Sequence, residues 1–213
     1  SNLKTQIWCA WSGLAAMLLF FVGMLVAGLL PPPGPSLTQQ EVVALYQNNT
    51  TGIRIGMAIV MISGMLVIPL VGVISLHLKR IEGISPLLTY TQLSAGSINV
   101  LFFLLPGLCF LITAYRPDRS PEITYIMNDV CWISLVMVWM PGFMQNMAIG
   151  FGILSDKSAD PVFPRWVAFM NFSMDFFNTM LTVMKDAPSQ MRMAPNISPA
   201  VLSMELTRSS GIC

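Results

Sequence analysis

Charged residues are scarce in this sequence. Only 10% of its 213 residues are Asp, Glu, Lys or Arg, whereas 54% are hydrophobic and the mean hydropathy is +0.68. Roughly a quarter of the residues in a soluble domain are charged, so this composition excludes an ordinary soluble domain. The net charge is only +1 and the eleven basic residues are scattered, which leaves no basic patch for a nucleic acid. We therefore expect most of the chain to lie in a lipid bilayer.

Histidine and cysteine are also scarce, and this limits metal and redox chemistry. His77 is the single histidine, whereas haem, copper and di-iron centres in membranes draw on several imidazoles. Three of the four cysteines lie in or beside apolar runs and the fourth is Cys213, so no disulfide framework is predicted. Nucleotide-binding loops and nucleophile elbows are also missing. We expect no metal, no cofactor and no catalytic residue, and an enzyme would have to borrow its cofactor from another subunit.

The sequence contains several long apolar runs. A membrane-spanning helix needs about 20 mostly apolar residues. Five runs meet this length, at about residues 7–30, 52–78, 87–115, 121–154 and 163–184. The first run is longer than the core of a signal peptide, which has about 7 to 15 residues, so we treat it as a true span. We predict an all-α polytopic transmembrane bundle over residues 1–185, followed by a Pro-containing polar tail over residues 186–213.

Prolines and a capping pattern predict where the helices begin, kink and end. Several prolines follow the first run and should end its helix, whereas Pro69 should kink the second span. At 1.5 Å per residue the fourth run exceeds the bilayer core of about 30 Å, so it must tilt, protrude or kink at Pro141. Thr38 and Glu41 have the spacing of a capping box. They predict a short amphipathic helix within residues 36–48, which lies on the membrane or caps the bundle.

Glycines and basic residues predict how the second span packs and how it is oriented. Four glycines of this run are separated by multiples of four residues, which forms a ridge along which helices can approach closely in a membrane. They are Gly52, Gly56, Gly64 and Gly72. Lys79 and Arg80 close the span with the densest positive cluster in the chain. The positive-inside rule therefore predicts that this loop and the N-terminus are cytoplasmic.

Two carboxyl groups lie within the apolar runs and are candidate ligand-binding residues. A carboxylate in hydrocarbon is costly, so Asp129 and Asp175 are functional candidates by default. Asp175 forms a polar helical stripe with Asn171 and Asn178. Asp129 lies about two turns into a long run, where headgroups can solvate it. Structural pairing or interfacial solvation and a proton or substrate role are both open alternatives.

Amide side chains form a second group of candidates. Asn128 and Asn146 are eighteen residues apart in the fourth run, so they return to one helix face. With Asn99 and Gln145 they could form one interhelical hydrogen-bond network, in which each bond contributes about 0.6 kcal/mol. The alternative is a ligand pocket, because pockets combine apolar walls with a few convergent polar groups.

Interfacial anchors and methionines complete the candidates. Lys79, Arg80 and Arg165 can reach toward lipid phosphates, and Trp166 is typical of the headgroup level, so we predict that these four residues anchor the chain in the bilayer. A stripe of four methionines in the fourth run indicates adaptable packing or contact with flexible lipophiles. These are Met137, Met140, Met144 and Met147.

Several motifs carry a resemblance to a known group of proteins. They are the Pro-rich exit from the first run, EVVALY at 41–46 with NTTGIR at 49–54, KRIEG at 79–83, ILSD at 153–156 and PVFPRW at 161–166. With these motifs the chain resembles a family of uncharacterised bacterial multi-pass integral membrane proteins. The resemblance implies a helical protein of the bacterial inner membrane with no assigned activity and no catalytic residue. Similar members usually continue with one or two further spans, a pattern from which the segment after Phe177 departs.

Packing features in several spans, together with the lack of a catalytic constellation, favour one functional hypothesis. We predict a non-catalytic accessory or structural subunit whose partners are the bilayer and other membrane protein subunits. The alternative is a carrier or binding protein for a small lipophilic molecule, with a pocket between spans three to five and Asp175 as its polar contact.

Overall fold

Four helical spans organise the part of the chain that the structure describes. The computed structural model describes residues 2–34, 37–137 and 140–176, and within them all regular structure is helical. Four stretches are long and apolar enough to cross a membrane. They are Leu3–Val26, Thr50–Leu78, Pro86–Tyr115 and Pro121–Leu154, here called spans one to four. The prediction of an all-helical fold is confirmed for the described residues, and these four stretches fit a transmembrane protein.

Span one is a single helix, whereas two described helices belong to each of the other three spans. Span one is α1 (Asn2–Val26), and a short helix α2 (Gln39–Asn48) follows it. Span two consists of α3 (Thr50–Met65) and α4 (Val67–Leu78), span three of α5 (Pro86–Ile98) and α6 (Leu101–Tyr115), and span four of α7 (Pro121–Met137) and α8 (Met140–Leu154). Residues 165–176 are also helical and are called α9.

The predicted fifth span is not confirmed. Its described portion is α9, whereas the rest of the 163–184 run lies outside the described residues. Asn178 and the predicted tail at 186–213 also lie outside them. Four spans are therefore what the described chain supports.

Span one ends four residues earlier than predicted because Gly28 terminates it. Gly28 has φ of +67°, a conformation that glycine adopts at little cost. The Leu29 N–H donates to the Met24 carbonyl (3.0 Å) and the Gly28 N–H donates to the Leu25 carbonyl (2.9 Å). This pair of bonds is the Schellman motif, which satisfies the last carbonyls of a helix. The helix thus ends at Val26 rather than at Leu30, before any proline is reached.

The capping box that was predicted before α2 is confirmed. The Thr38 N–H donates to Glu41 Oε2 (2.7 Å), and the Glu41 N–H donates to Thr38 Oγ1 (3.4 Å). The Thr38 backbone hydrogen bond, followed by that of its hydroxyl, holds the pKa of the Glu41 carboxyl below its ordinary value. Val42 and Tyr46 on one face of α2 are buried. The position of this helix on a membrane surface stays a prediction.

Two spans are interrupted near their middle. Span two breaks at Leu66, three residues before Pro69, which cannot donate a backbone hydrogen bond. Span three breaks at Asn99–Val100, whereas Pro106 lies inside α6 without ending it. In span four, α7 and α8 flank residues 138–139, which lie outside the described chain, and Pro141 falls in the first turn of α8.

Consecutive spans pack against each other in antiparallel pairs. α1 contacts α3 and α4, α3 contacts α6, α4 contacts α5, α6 contacts α7, and α5 contacts α8. One buried cluster lies near α2 and includes Met24, Tyr46, Met57, Phe110 and Cys131. The other lies near the loop after α4 and includes Leu78, Ile81, Ile149, Ile153 and Ala168. These clusters mark two ends of the bundle, which we call the α2 end and the Lys79 end.

Candidate functional site

A groove opens sideways between spans three and four. Its volume is about 590 Å³. The lining residues are Leu87, Tyr90, Thr91, Ser94, Ala95 and Ile98 from α5, with Met140, Pro141 and Met144 from α8. The α5 positions recur at intervals of three and four residues, so they form one face of the helix. We call this feature the lateral groove.

The groove exists because α5 uses its opposite face for packing. Pro86 begins α5 at a position that suits its fixed φ, and Gln92 and Gly96 are buried. A Cβ added at Gly96 would lie 2.7 Å from Val71 Cγ1 and 2.7 Å from Gln145 Nε2. The missing side chain therefore lets α4 and α8 approach α5 closely on that face. The lateral groove runs alongside this close approach.

The lining is mostly apolar and largely uncovered by the described chain. Leu87 is 71% exposed and Met140 is 59% exposed. Tyr90, Thr91 and Ser94 supply the polar groups of the lining. A pocket with apolar walls and a few hydroxyl groups suits a lipophilic molecule that has a polar end.

Lys79 supplies a positive charge at the end of the groove where α5 begins. Lys79 Nζ lies 5.3 Å from the centroid of the Tyr90 ring, within the range of a cation–π contact. Lys79 is the C-terminal cap of α4, where the helix dipole favours a positive charge. The Arg80 guanidinium instead contacts α1, where it donates to Gln6 Oε1 (3.3 Å). Of the predicted anchors in this loop, only Lys79 therefore approaches the groove.

The other two predicted anchors lie on α9. Arg165 and Trp166 occupy its first turn and are exposed, with Trp166 at 63%. Neither lines the lateral groove. Their contact with lipid headgroups stays a prediction.

Two of the predicted ligand-binding residues meet between α8 and α9. Asn146 Nδ2 donates to Asp175 Oδ1 (2.9 Å), and Asp175 is only 1% exposed. Asn171 Nδ2 donates instead to the Val167 carbonyl of its own helix (2.8 Å). The structure thus places Asp175 against protein, as a carboxyl group within an apolar run requires.

The remaining candidates make different contacts. Asn128 Oδ1 accepts a hydrogen bond from the Tyr46 hydroxyl of α2 (3.1 Å), while the next residue, Asp129, is exposed. Asn99 is half-buried beside α8, where a Cβ added at Gly142 would lie 3.4 Å from its side-chain amide. Burial raises the pKa of the Tyr46 hydroxyl, which keeps it a neutral donor. Asn146 and Asp175 thus form one pair, and the role of all six candidates in ligand binding stays a prediction.

Buried polar side chains between α4 and α5 were not among the candidates. The Ser75 hydroxyl donates a short hydrogen bond to Gln92 Oε1, and Gln92 Nε2 donates to the Val71 carbonyl (3.4 Å). Thr89 is 1% exposed, and its hydroxyl has no hydrogen-bond partner within the described residues. A glutamine inside an apolar run is the sequence signal for such a contact, because it must face protein in a membrane.

Metal ligands do not cluster in the described part of the chain. Within residues 2–34, 37–137 and 140–176, no group of three His, Cys, Asp or Glu side chains is placed to hold a metal ion.

Comparisons with protein-family models, curated proteins and solved structures returned no match. The resemblance to uncharacterised bacterial membrane proteins therefore stays a prediction, and the function is inferred from the geometry of the chain itself.

Proposed function

We propose that this chain is a non-catalytic integral-membrane binding protein that takes a lipophilic chain from the bilayer into the lateral groove. The observation that supports the proposal is the groove itself, with about 590 Å³ of mostly apolar volume between α5 and α8. Binding pockets for small molecules have about 300 to 1,000 Å³ and combine apolar walls with few polar groups. The groove meets both criteria.

The length of the groove selects the kind of occupant. Its lining extends from Leu87 to Ile98, eleven residues apart on α5. At 1.5 Å per residue this distance is about 16 Å, close to half of the hydrocarbon core of about 30 Å. An acyl chain within one leaflet matches this length. A membrane-spanning helix of a partner protein would need a surface about twice as long.

The α8 side of the groove suits a flexible occupant. Met140 and Met144 line it and are 59% and 52% exposed. Unbranched thioether side chains adapt their rotamers to irregular apolar shapes. These two methionines belong to the stripe for which adaptable packing or contact with flexible lipophiles was predicted.

Filling the groove should prevent binding. Ser94 lines the groove, whereas Ser97 is an exposed serine of the same helix that does not line it and whose hydroxyl donates to the Leu93 carbonyl (2.8 Å). We expect Ser94→Phe to abolish labelling of α5 and α8 by palmitic acid carrying a mid-chain diazirine, measured by peptide mass spectrometry in vesicles. Ser97→Phe should label like the wild type. Equal labelling of the two variants would refute the proposal.

A second candidate function is that of an accessory subunit that packs against another membrane protein. The open surface at Gly72 supports it. Among the described residues, no atom of a neighbouring element lies within 4 Å of a Cβ added at this position. Ile68 and Leu76, one turn away on either side, are 47% and 42% exposed. Glycine inside a helix costs about 1 kcal/mol relative to alanine, and the described chain gains no close packing from it here. A hollow of this kind allows the helix of a partner to approach.

The accessory hypothesis predicts a variant that loses its partner without unfolding. Gly72→Leu should not lower the thermal unfolding temperature of the purified chain, because a Cβ added at this position meets no atom of the described residues within 4 Å. It should abolish co-migration with a larger complex in native electrophoresis after extraction in mild detergent. Ile62→Phe is the control, since Ile62 is already a large exposed side chain of the same span. A wild-type chain that migrates alone would count against this candidate.

A further inference from the structure

We infer that the occupant of the lateral groove is an anionic phospholipid from the leaflet at the Lys79 end, with an acyl chain along the groove and its phosphate at Lys79. This inference rests on the proposed function, that the groove holds a lipophilic chain. It adds the chemical class of that molecule and the residue that recognises its charge.

The position of Lys79 relative to the groove supports the phosphate contact. Lys79 Nζ lies 5.3 Å from the ring centroid of Tyr90, and Tyr90 is a lining residue that is 56% exposed. A cation above the ring face stays at the end of the groove while its ammonium hydrogens remain able to donate. The groove thus has apolar walls, which suit an acyl chain, and a positive charge at one end, which suits a phosphate.

The charges around Lys79 leave it available to an anion. Within the described residues Lys79 takes part in no ion pair, and Glu82, the carboxylate of the same loop, is exposed. The neighbouring Arg80 is directed toward Gln6 on α1. One cation therefore faces the groove, and the adjacent cation faces away from it.

The depth of the polar lining fits the order of groups in a phospholipid. Thr91 is five residues into α5, about 7 Å along the helix axis. The interfacial layer on each side of a bilayer is roughly 5 to 8 Å thick, the difference between the full bilayer and its hydrocarbon core. With the start of α5 placed at the outer edge of this layer, the side chains of Tyr90 and Thr91 lie at the level of the glycerol esters. Ala95, Ile98 and the two methionines follow at the level of the acyl chain.

Lys79→Gln and Arg80→Gln form a matched pair that tests this assignment. Each removes one positive charge from an exposed residue of the same loop, but only Lys79 is at the groove. The full chain would be incubated with equal amounts of dioleoyl-phosphatidylglycerol and dioleoyl-phosphatidylcholine in detergent, and the retained lipid would be counted by native mass spectrometry. We expect the wild type to prefer phosphatidylglycerol, Lys79→Gln to lower that preference about fivefold, and Arg80→Gln and Lys79→Arg to keep it.

The groove-filling variant distinguishes failure of the inference from failure of the proposed function. If Ser94→Phe loses both lipids but the wild type shows no preference for phosphatidylglycerol, the groove binds lipid and the assignment of Lys79 is overturned. Equal loss of preference in Lys79→Gln and Arg80→Gln would also overturn it, because that result reports general surface charge. If Ser94→Phe retains both lipids as the wild type does, the proposed function fails together with this inference.

Discussion

Gly56→Leu is expected to destabilise the folded bundle by about 3 kcal/mol or more, at the upper end of the cost of overpacking. A Cβ added at Gly56 would lie 2.7 Å from the Ala27 backbone nitrogen and would collide with the Gly23 carbonyl oxygen. A Cβ added at Gly23 would in turn lie 2.6 Å from the Gly56 carbonyl oxygen. Backbone atoms cannot rotate away, so α1 and α3 would have to separate. The measurement is the thermal unfolding of the detergent-solubilised chain, with size-exclusion chromatography as a check of folding.

Gly72→Leu is the matched control for this prediction. It makes the same substitution in the same span, at a glycine where an added Cβ meets no atom within 4 Å in the part of the chain that the structure describes. Because leucine is a better helix former than glycine by roughly 0.8 kcal/mol, this variant should be neutral or slightly more stable. Equal destabilisation by the two substitutions would contradict this prediction, because the contact of Gly56 with α1 would then not account for the loss of stability.

The contacts at these glycines show which part of the predicted packing the glycine spacing could identify. The ridge of Gly52, Gly56, Gly64 and Gly72 predicted close packing along span two. Gly56 packs against α1, and a Cβ at Gly64 would lie 2.6 Å from Phe103 Cβ of α6, whereas Gly72 is open. Spacing identifies residues that share a helix face, but only the path of the neighbouring helices decides which of them are covered.

Hydropathy predicted four long helices that are apolar enough to cross a membrane, because the bilayer demands about 20 apolar residues whatever their order. Their ends and breaks depend on local geometry, which hydropathy does not contain. Gly28 ends α1 through its positive φ before the prolines are reached. Pro69 did signal the break at Leu66, but the break at Asn99–Val100 has no such residue, since both residue types are tolerated in helices.

The lateral groove was harder to predict than the polar contacts. A polar group in a membrane must face protein or water, so Asn146 and Asp175 could be expected to find a partner, and they bind each other. The groove residues are ordinary apolar types such as Leu87 and Ile98. In a bilayer, core-facing and lipid-facing side chains are equally apolar, so periodicity does not reveal which face is buried. The groove became visible only when the facing sides of α5 and α8 were known.

Asp156→Asn is expected to lower the thermal unfolding temperature by several degrees at neutral pH, because Asp156 organises the loop between α8 and α9. Its Oδ1 accepts hydrogen bonds from the Ser158 N–H (3.0 Å) and from the Ser158 hydroxyl (2.6 Å). Its Oδ2 accepts from the Val162 N–H (3.0 Å), and the residue is only 3% exposed. An asparagine would replace one acceptor oxygen by a donor, so at least one of these groups would lose its partner.

The effect of this substitution should depend on pH in a defined direction. The hydrogen bond from the Ser158 hydroxyl, followed by the backbone bond from Val162, lowers the pKa of the Asp156 carboxyl below its ordinary value of 3.8. A carboxyl group whose pKa is lower in the folded state stabilises that state above the unfolded pKa. This stabilisation is lost as the pH falls through the folded pKa. The difference in unfolding temperature between wild type and Asp156→Asn should therefore be constant from pH 5 to 7 and shrink below about pH 3.8.

Asp160→Asn is the control that distinguishes the effect of the Asp156 hydrogen bonds from the effect of the negative charge in this loop. Asp160 is exposed, and its backbone carbonyl rather than its carboxylate accepts from the Ser158 hydroxyl (3.1 Å). The two variants remove the same charge from positions four residues apart, so any general electrostatic effect should be shared. We expect Asp160→Asn to unfold like the wild type at every pH. If both variants lower the unfolding temperature equally, the loop depends on its net charge, and the bonds to Ser158 and Val162 do not hold α9 in place.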